Sequence, residues 1–207
     1  GFSSADTIPG PVKTKVDRSR AVTPPSPEEV EAAKARNIKA VSNARQISLG
    51  LLEFESEYGT YPNDETADAV KQATGTTAPV GAATANDCLY QLMAAKIVMN
   101  PAIFHWDEPG TDKGAVGLEN CGFSYFSGMS SAGDPRRPLL VAPLLPGTRF
   151  FDREVFGGRA VISRVDGSIS TFLIEPDGTV KMNDMDLFDP AQPFWGGTVP
   201  PIKWPAD

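Results

Sequence analysis

The ten residues from Glu53 to Pro62, EFESEYGTYP, constrain the fold of this chain more than any other segment. They close a long amphipathic stretch, and Gly59 and Pro62 end it abruptly, because glycine suits a helix C-cap and proline cannot continue a helix. A start signal lies upstream: Ser26 is a preferred N-cap residue, Pro27 suits the first turn, and two glutamates follow at the positive end of the dipole. The sequence therefore predicts a helix over about residues 27–58, roughly 45 Å long.

The apolar residues of this helix recur at steps of 3 or 4, interrupted only at Asn37, and so lie on one stripe. They are Val30, Ala33, Val41, Ala44, Ile47, Leu51, Phe54 and Tyr58. The first half of the helix is polar and rich in alanine, whereas the second half holds Ile47, Leu49, Leu51, Leu52 and Phe54. We infer that the second half lies on the rest of the domain and that the first half projects or packs on partners, which makes Val30, Ala33 and Val41 candidate contact residues.

The segments on either side of this helix have different characters. Residues 1–27 contain five prolines and four basic residues, which predicts an extended or disordered arm. Residues 59–121 form a connecting region with two short helices, at 64–74 and about 86–98. Gly75 is the expected C-cap of the first helix, and Asn86 or Asp87 is the expected N-cap of the second.

From Gly122 onward the pattern changes to that of strands. The runs at 159–165 and 168–174 flank an Asp-Gly dipeptide, which marks a hairpin, and Pro176-Asp177-Gly178 is a turn signal. Residues 122–189 therefore predict an antiparallel sheet, followed by an irregular tail over 190–207. The predicted fold class is α+β, with a long N-terminal helix packed on a C-terminal antiparallel β-sheet within one domain over 28–207.

Charge and composition exclude some classes of function. The formal net charge of −7 argues against binding to nucleic-acid backbones, which requires clustered cations. No apolar run approaches the ~20 residues of a membrane-spanning helix. The glycines form no phosphate-binding motif. We therefore expect a protein that acts on neither nucleic acids nor nucleotides.

Cys88 and Cys121 are the two cysteines of the chain. An even, low number is compatible with one disulfide in an oxidising compartment. Such a bridge would stabilise the fold by roughly 3 kcal/mol in the chain-entropy model. Two separate buried thiols are the alternative.

His105 is the one histidine, and a catalytic triad or a histidine–carboxylate metal site would have to use it. Asp107 and Glu108 lie close to it in sequence, but no Gly-x-Ser-x-Gly nucleophile motif accompanies them. We therefore expect no enzymatic activity. Four aromatic residues in predicted loops are either anchors on the protein's own core or a contact surface for a partner: Trp106, Phe194, Trp195 and Trp204.

The helix end from Asn37 to Pro62, with its Tyr-Gly-x-Tyr-Pro stop, resembles that of type II secretion pseudopilins and type IV pilin-like proteins. The run GRAVISRVDGSIST and the later Trp-Gly-Gly are similar to the heads of prepilin-type secreted proteins. The resemblance implies a structural subunit of an exported pilus-like or pseudopilus-like apparatus, periplasmic or extracellular, acting through protein contacts. It also implies that the membrane is reached only through an apolar segment upstream of Gly1.

The resemblance also implies a metal site, and the aromatic residues in loops supply two candidate contact residues. Pseudopilins of the secretion type often hold calcium in a C-terminal loop, which makes Asp184, Asp186 and Asp189 candidate calcium ligands; a solvated acidic turn is the alternative. Trp106 and Trp195 are candidate contact residues in the head. A secreted binding module for a host receptor or a glycan, on a pilin-like scaffold that does not polymerise, is the alternative function.

Overall fold

A computed structural model describes residues 23–81, 83–107 and 117–207, and in these residues the chain is α+β. Its helices are α1 (Pro27–Tyr58), α2 (Asp64–Thr74) and α3 (Ala85–Ala94), followed by a 3-10 turn at Pro101–Phe104. The predicted fold class is confirmed at this level. Most of the predicted arm, residues 1–22, lies outside the described residues.

Side-chain caps fix the ends of the helices. Ser26 and Glu29 form a reciprocal capping box at the start of α1, and Gly59 ends α1 with φ of 85°. Gly75 ends α2 in the same left-handed conformation. The N-cap of α3 is Thr84, whose hydroxyl accepts a hydrogen bond from the Asp87 amide, so the prediction of Asn86 or Asp87 was wrong.

The main sheet has five antiparallel strands in the order β4-β3-β2-β1-β7. These are β1 (Ser124–Phe126), β2 (Pro138–Ala142), β3 (Arg159–Arg164), β4 (Ile169–Leu173) and β7 (Ile202–Lys203). A separate pair joins β5 (Lys181–Met182) and β6 (Met185–Asp186). The tail was predicted to be irregular, but β7 within it pairs with Tyr125 and Phe126 of β1.

Hydrogen bonds tie α1 and the chain that leaves it to the strands. The hydroxyls of Ser48 in α1 and Ser163 in β3 lie 2.7 Å apart in a buried pair. After the Gly59 stop, the Tyr61 hydroxyl donates to the Val165 carbonyl at 2.9 Å. The Tyr125 hydroxyl of β1 donates to the Pro62 carbonyl at 2.5 Å. The Tyr61-Pro62 end of the stop is therefore hydrogen-bonded both to β1 and to Val165, the residue that follows β3.

Candidate functional site

Helix α1 has two opposite faces with different roles. Its core face is fully buried and consists of Ala40, Ala44, Ile47, Leu51 and Phe54. Because an α-helix turns by about 100° per residue, residues two positions earlier lie about 200° away, on the opposite face. Those residues continue a regular 4-3 spacing of exposed side chains: Glu31, Ala35, Ile38, Ser42, Arg45, Leu49, Leu52 and Ser56. We call these eight residues the outer stripe.

The outer stripe carries large apolar side chains in water. Ile38 is 72% exposed, Leu49 is 68% exposed and Leu52 is 39% exposed. With Val30, which is 37% exposed, they make up half of the large exposed apolar residues in the described part of the chain. Exposed apolar groups that recur along one helix face are a common mark of an interaction surface.

The structure separates the five predicted contact residues. Val30 is exposed, whereas Val41 is partly buried against the core. Ala33 is buried close to Gly157: a Cβ added to Gly157 would lie 3.5 Å from the Cβ of Ala33. Trp106 and Trp195 are buried, so the prediction that they form an exposed contact surface was wrong.

Both tryptophans belong to the protein's own aromatic core. Trp106 packs edge-on against Phe123 and Phe156, at centroid distances of 5.6 and 4.7 Å. The indole nitrogen of Trp195 donates to the Leu187 carbonyl at 2.7 Å. Sequence reasoning did not single out Ile38, Leu49 and Leu52 as large exposed apolar residues, because it followed the stripe that faces the core.

A second candidate site is a cleft of about 440 Å³ beside α1. Its lining comes from three distant parts of the sequence: Arg36, the run His105–Asp107, and residues Asp152, Glu154 and Val155. The Arg36 Nε donates to the Val155 carbonyl at 2.8 Å, and the Asn43 amide donates to the His105 carbonyl at 2.7 Å. Helix α1 thus holds both walls of the cleft through side-chain hydrogen bonds to their backbones.

His105 sits in the cleft wall as a neutral acceptor. Its Nδ1 accepts a hydrogen bond from the Asp107 amide at 3.0 Å, which places the proton of the neutral ring on Nε2. Burial lowers the pKa of His105 below its ordinary value of 6.5, Asp107 acts in the opposite direction, and Lys39 lowers the pKa further. Glu108, the other predicted neighbour, lies outside the described residues.

Cys88 and Cys121 are separate buried thiols in the structure, so the predicted disulfide is not formed. The Cys121 thiol donates instead to the Phe123 carbonyl at 3.4 Å. Burial raises the pKa of each thiol to about 12. The ionised form that attacks a partner sulfur is therefore strongly disfavoured.

The three predicted calcium ligands lie around the β5–β6 hairpin. Asp184 has a left-handed backbone with φ of 58°. Asp186 and Asp189 each accept a hydrogen bond from a backbone amide two residues on, those of Phe188 and Ala191. Within the described ranges, no group of three or more His, Cys, Asp or Glu side chains is arranged to hold a metal ion. The calcium site stays a prediction.

Among the described residues, no helix has both the length and the apolar character that crossing a lipid bilayer requires.

Comparisons with known proteins assign this chain to no group. No family model, no curated protein and no solved structure matches the sequence or the fold.

Proposed function

We propose that this protein is a non-enzymatic assembly subunit of an exported pilus-like or type II secretion pseudopilus-like apparatus. The observation that carries the proposal is the two-faced helix α1, in which one face is core and the opposite face exposes Ile38, Leu49 and Leu52. A helix that needed only to complete its own domain would gain nothing from large apolar groups in water. The outer stripe gives α1 a second surface on which a neighbouring subunit packs.

The arrangement of the chain around α1 supports the same proposal. The Ser48–Ser163 hydrogen bond holds the middle of α1 against β3, and Gly59 ends the helix before the chain crosses to the sheet. A pilin-like subunit is expected to bring a long helix and an antiparallel sheet together in this order, and these contacts support the proposal. The proposal includes export to the periplasm or the cell surface, and calcium at Asp184, Asp186 and Asp189.

Site-specific photo-crosslinking in the cells that produce the protein tests this function. A photoreactive residue at Ile38 should yield covalent adducts with another subunit in the surface or envelope fraction. The same residue at Leu173, which is 64% exposed on β4 outside the outer stripe, is the matched control and should yield few adducts. Confinement of the protein to the cytoplasm, or equal labelling from both positions, would contradict the proposal.

The cleft favours the alternative function, a secreted binding module for a receptor or a glycan. Its lining includes the acidic residues Asp107, Asp152 and Glu154 together with Arg36, a set of charged groups suited to a polar ligand. Binding of the protein to a glycan array tests it. Glu154→Gln should abolish any specific signal, whereas Asp177→Asn, an exposed change outside the cleft lining, should leave it intact.

A further inference from the structure

We propose that the partner of the outer stripe is a second copy of this chain, with the two α1 helices packed antiparallel about a two-fold axis near residues 43 and 44. This inference rests on the proposed function, because it names the partner of the same surface. Four of the eight stripe positions are apolar, namely Ala35, Ile38, Leu49 and Leu52, and apolar residues at such positions suit pairing with another helix. The core face lies about 200° away. The β3–β4 turn approaches the stripe at one end, where Cδ1 of Leu52 would lie 4.0 Å from a Cβ built on Gly167.

The order of side chains along the stripe is self-complementary in one antiparallel register. With the axis between residues 43 and 44, Ile38 of one copy meets Leu49 of the other, and Ala35 meets Leu52. The two charged members meet serines, since Arg45 lies opposite Ser42 and Glu31 lies opposite Ser56. Every apolar member therefore faces an apolar member, and no like charges are opposed.

Charge decides between this arrangement and its parallel alternative. A parallel, in-register pair would set Arg45 against Arg45 and Glu31 against Glu31 within the seam, and such like-charge contacts are costly when desolvated. In the antiparallel pair, Lys39 of one copy and Glu53 of the other lie on the same flank. Their axial offset is about 7.5 Å, within reach of two long side chains. The stripe thus specifies both the partner and its direction.

Cysteine cross-linking of the 207-residue chain tests the register. Mixing Ile38→Cys and Leu49→Cys proteins under mild oxidation should join position 38 to position 49, because the two Cα atoms face each other in one layer. Neither protein should cross-link to itself, since identical positions lie about 16 Å apart along the axis. The unsubstituted chain is the control, because Cys88 and Cys121 are buried. Predominant 38–38 and 49–49 products would overturn the proposal.

Sedimentation measures the strength of the pair. Leu49→Glu should raise the dimer dissociation constant by roughly tenfold or more, since it sets a carboxylate against Ile38 in the seam. Leu173→Glu, an equally exposed apolar-to-acidic change outside the stripe, should leave the constant unchanged. Arg45→Leu should lower it, and circular dichroism verifies that each variant is folded. A chain that stays monomeric at its highest soluble concentration overturns the inference.

The two proposals fail in different ways. If Ile38 cross-links to a different subunit in cells while the purified chain stays monomeric, the assembly function stands and self-pairing is rejected. If the purified chain forms the 38–49 cross-link but is never exported, self-pairing stands and the assembly function is rejected.

Discussion

Gly122 packs against the ring of Trp106, which lines the cleft. A Cβ built on Gly122 would overlap Cη2 and Cζ3 of Trp106, so the indole ring occupies the place of a side chain. That ring in turn stacks on His105 at a centroid distance of 4.5 Å. The position of His105 therefore depends on a residue that has no side chain.

Gly122→Ala should destabilise the protein by about 1–3 kcal/mol, because neither the ring nor the backbone can shift freely in a packed core. Urea unfolding measures the change in the free energy of unfolding. Gly133→Ala is the matched control: an added Cβ there would lie 3.4 Å from its nearest neighbours, and the cost should stay within about 0.5 kcal/mol. Equal losses in the two variants would contradict the steric role of Trp106.

The two buried thiols should be inert while the protein is folded. Because burial raises the pKa of each thiol to about 12, Ellman's reagent should label neither at pH 8 and should label both after unfolding in urea. A reducing agent should leave the melting temperature unchanged. A melting temperature that falls on reduction would show that Cys88 and Cys121 are bridged after all.

At the scale of the element, α1 combines a solvated start with a buried second half. Its residues before Ala33 are all exposed, whereas Ile47, Leu51 and Phe54 are fully buried. Local caps should therefore govern the first turn, and tertiary packing should govern the rest. The Ser26–Glu29 capping box is the main device that holds the first turn.

Ser26→Ala removes this box and should cost about 1 kcal/mol of local helix stability. Hydrogen exchange should quicken at the amides of Glu29 and Val30, which donate to Ser26, while exchange at residues 47–54 should change little, since those amides open only with the core. Ser56→Ala, at an exposed interior position of the same helix, is the control and should leave both sets of amides protected. Uniform quickening along α1 in the Ser26 variant would contradict this division.

At the scale of the whole molecule, shifted pKa values bound the pH range of greatest stability. Burial lowers the pKa of His105 below 6.5, so the unfolded state binds the proton first as the pH falls. The contribution of His105 to the free energy of unfolding is fully present above pH 6.5. It is lost as the pH falls through the folded-state pKa of His105. The cysteines act at the other end: their pKa values are raised from 9.0, so their contribution is lost as the pH rises above 9.

Urea midpoints at pH 7.5 and 5.5 test the acid side of this range. The unsubstituted protein should be less stable at pH 5.5, and His105→Gln should reduce the difference, because glutamine does not titrate. The carboxylates of Asp166 and Asp177 have pKa values below 3.8, so their protonation does not contribute to the difference in stability between pH 7.5 and 5.5. An unchanged difference in the variant would show that His105 is not the group responsible.

Local signals in the sequence predicted the parts of the fold that local chemistry determines. Ser26, Gly59 and Gly75 are caps whose conformations depend on neighbouring residues, and the Asp166-Gly167 turn joins β3 to β4 as the pattern indicated. The cleft was not predictable, since Arg36, His105 and Glu154 meet only through tertiary packing. The aromatic residues were ambiguous because Trp195 in a loop has the same sequence signature whether it anchors that loop or faces a partner.

The position of β4 at the rim of the sheet has a consequence for how the protein behaves at high concentration. An edge strand has unpaired backbone groups to which a strand of another molecule can add, and Leu173 adds an exposed apolar side chain to this edge. The strand is short, however, and Glu175-Pro176 follows one residue after it, with a charge and a residue that cannot donate to a ladder. Both features discourage amyloid-like addition of strands at this edge of the sheet.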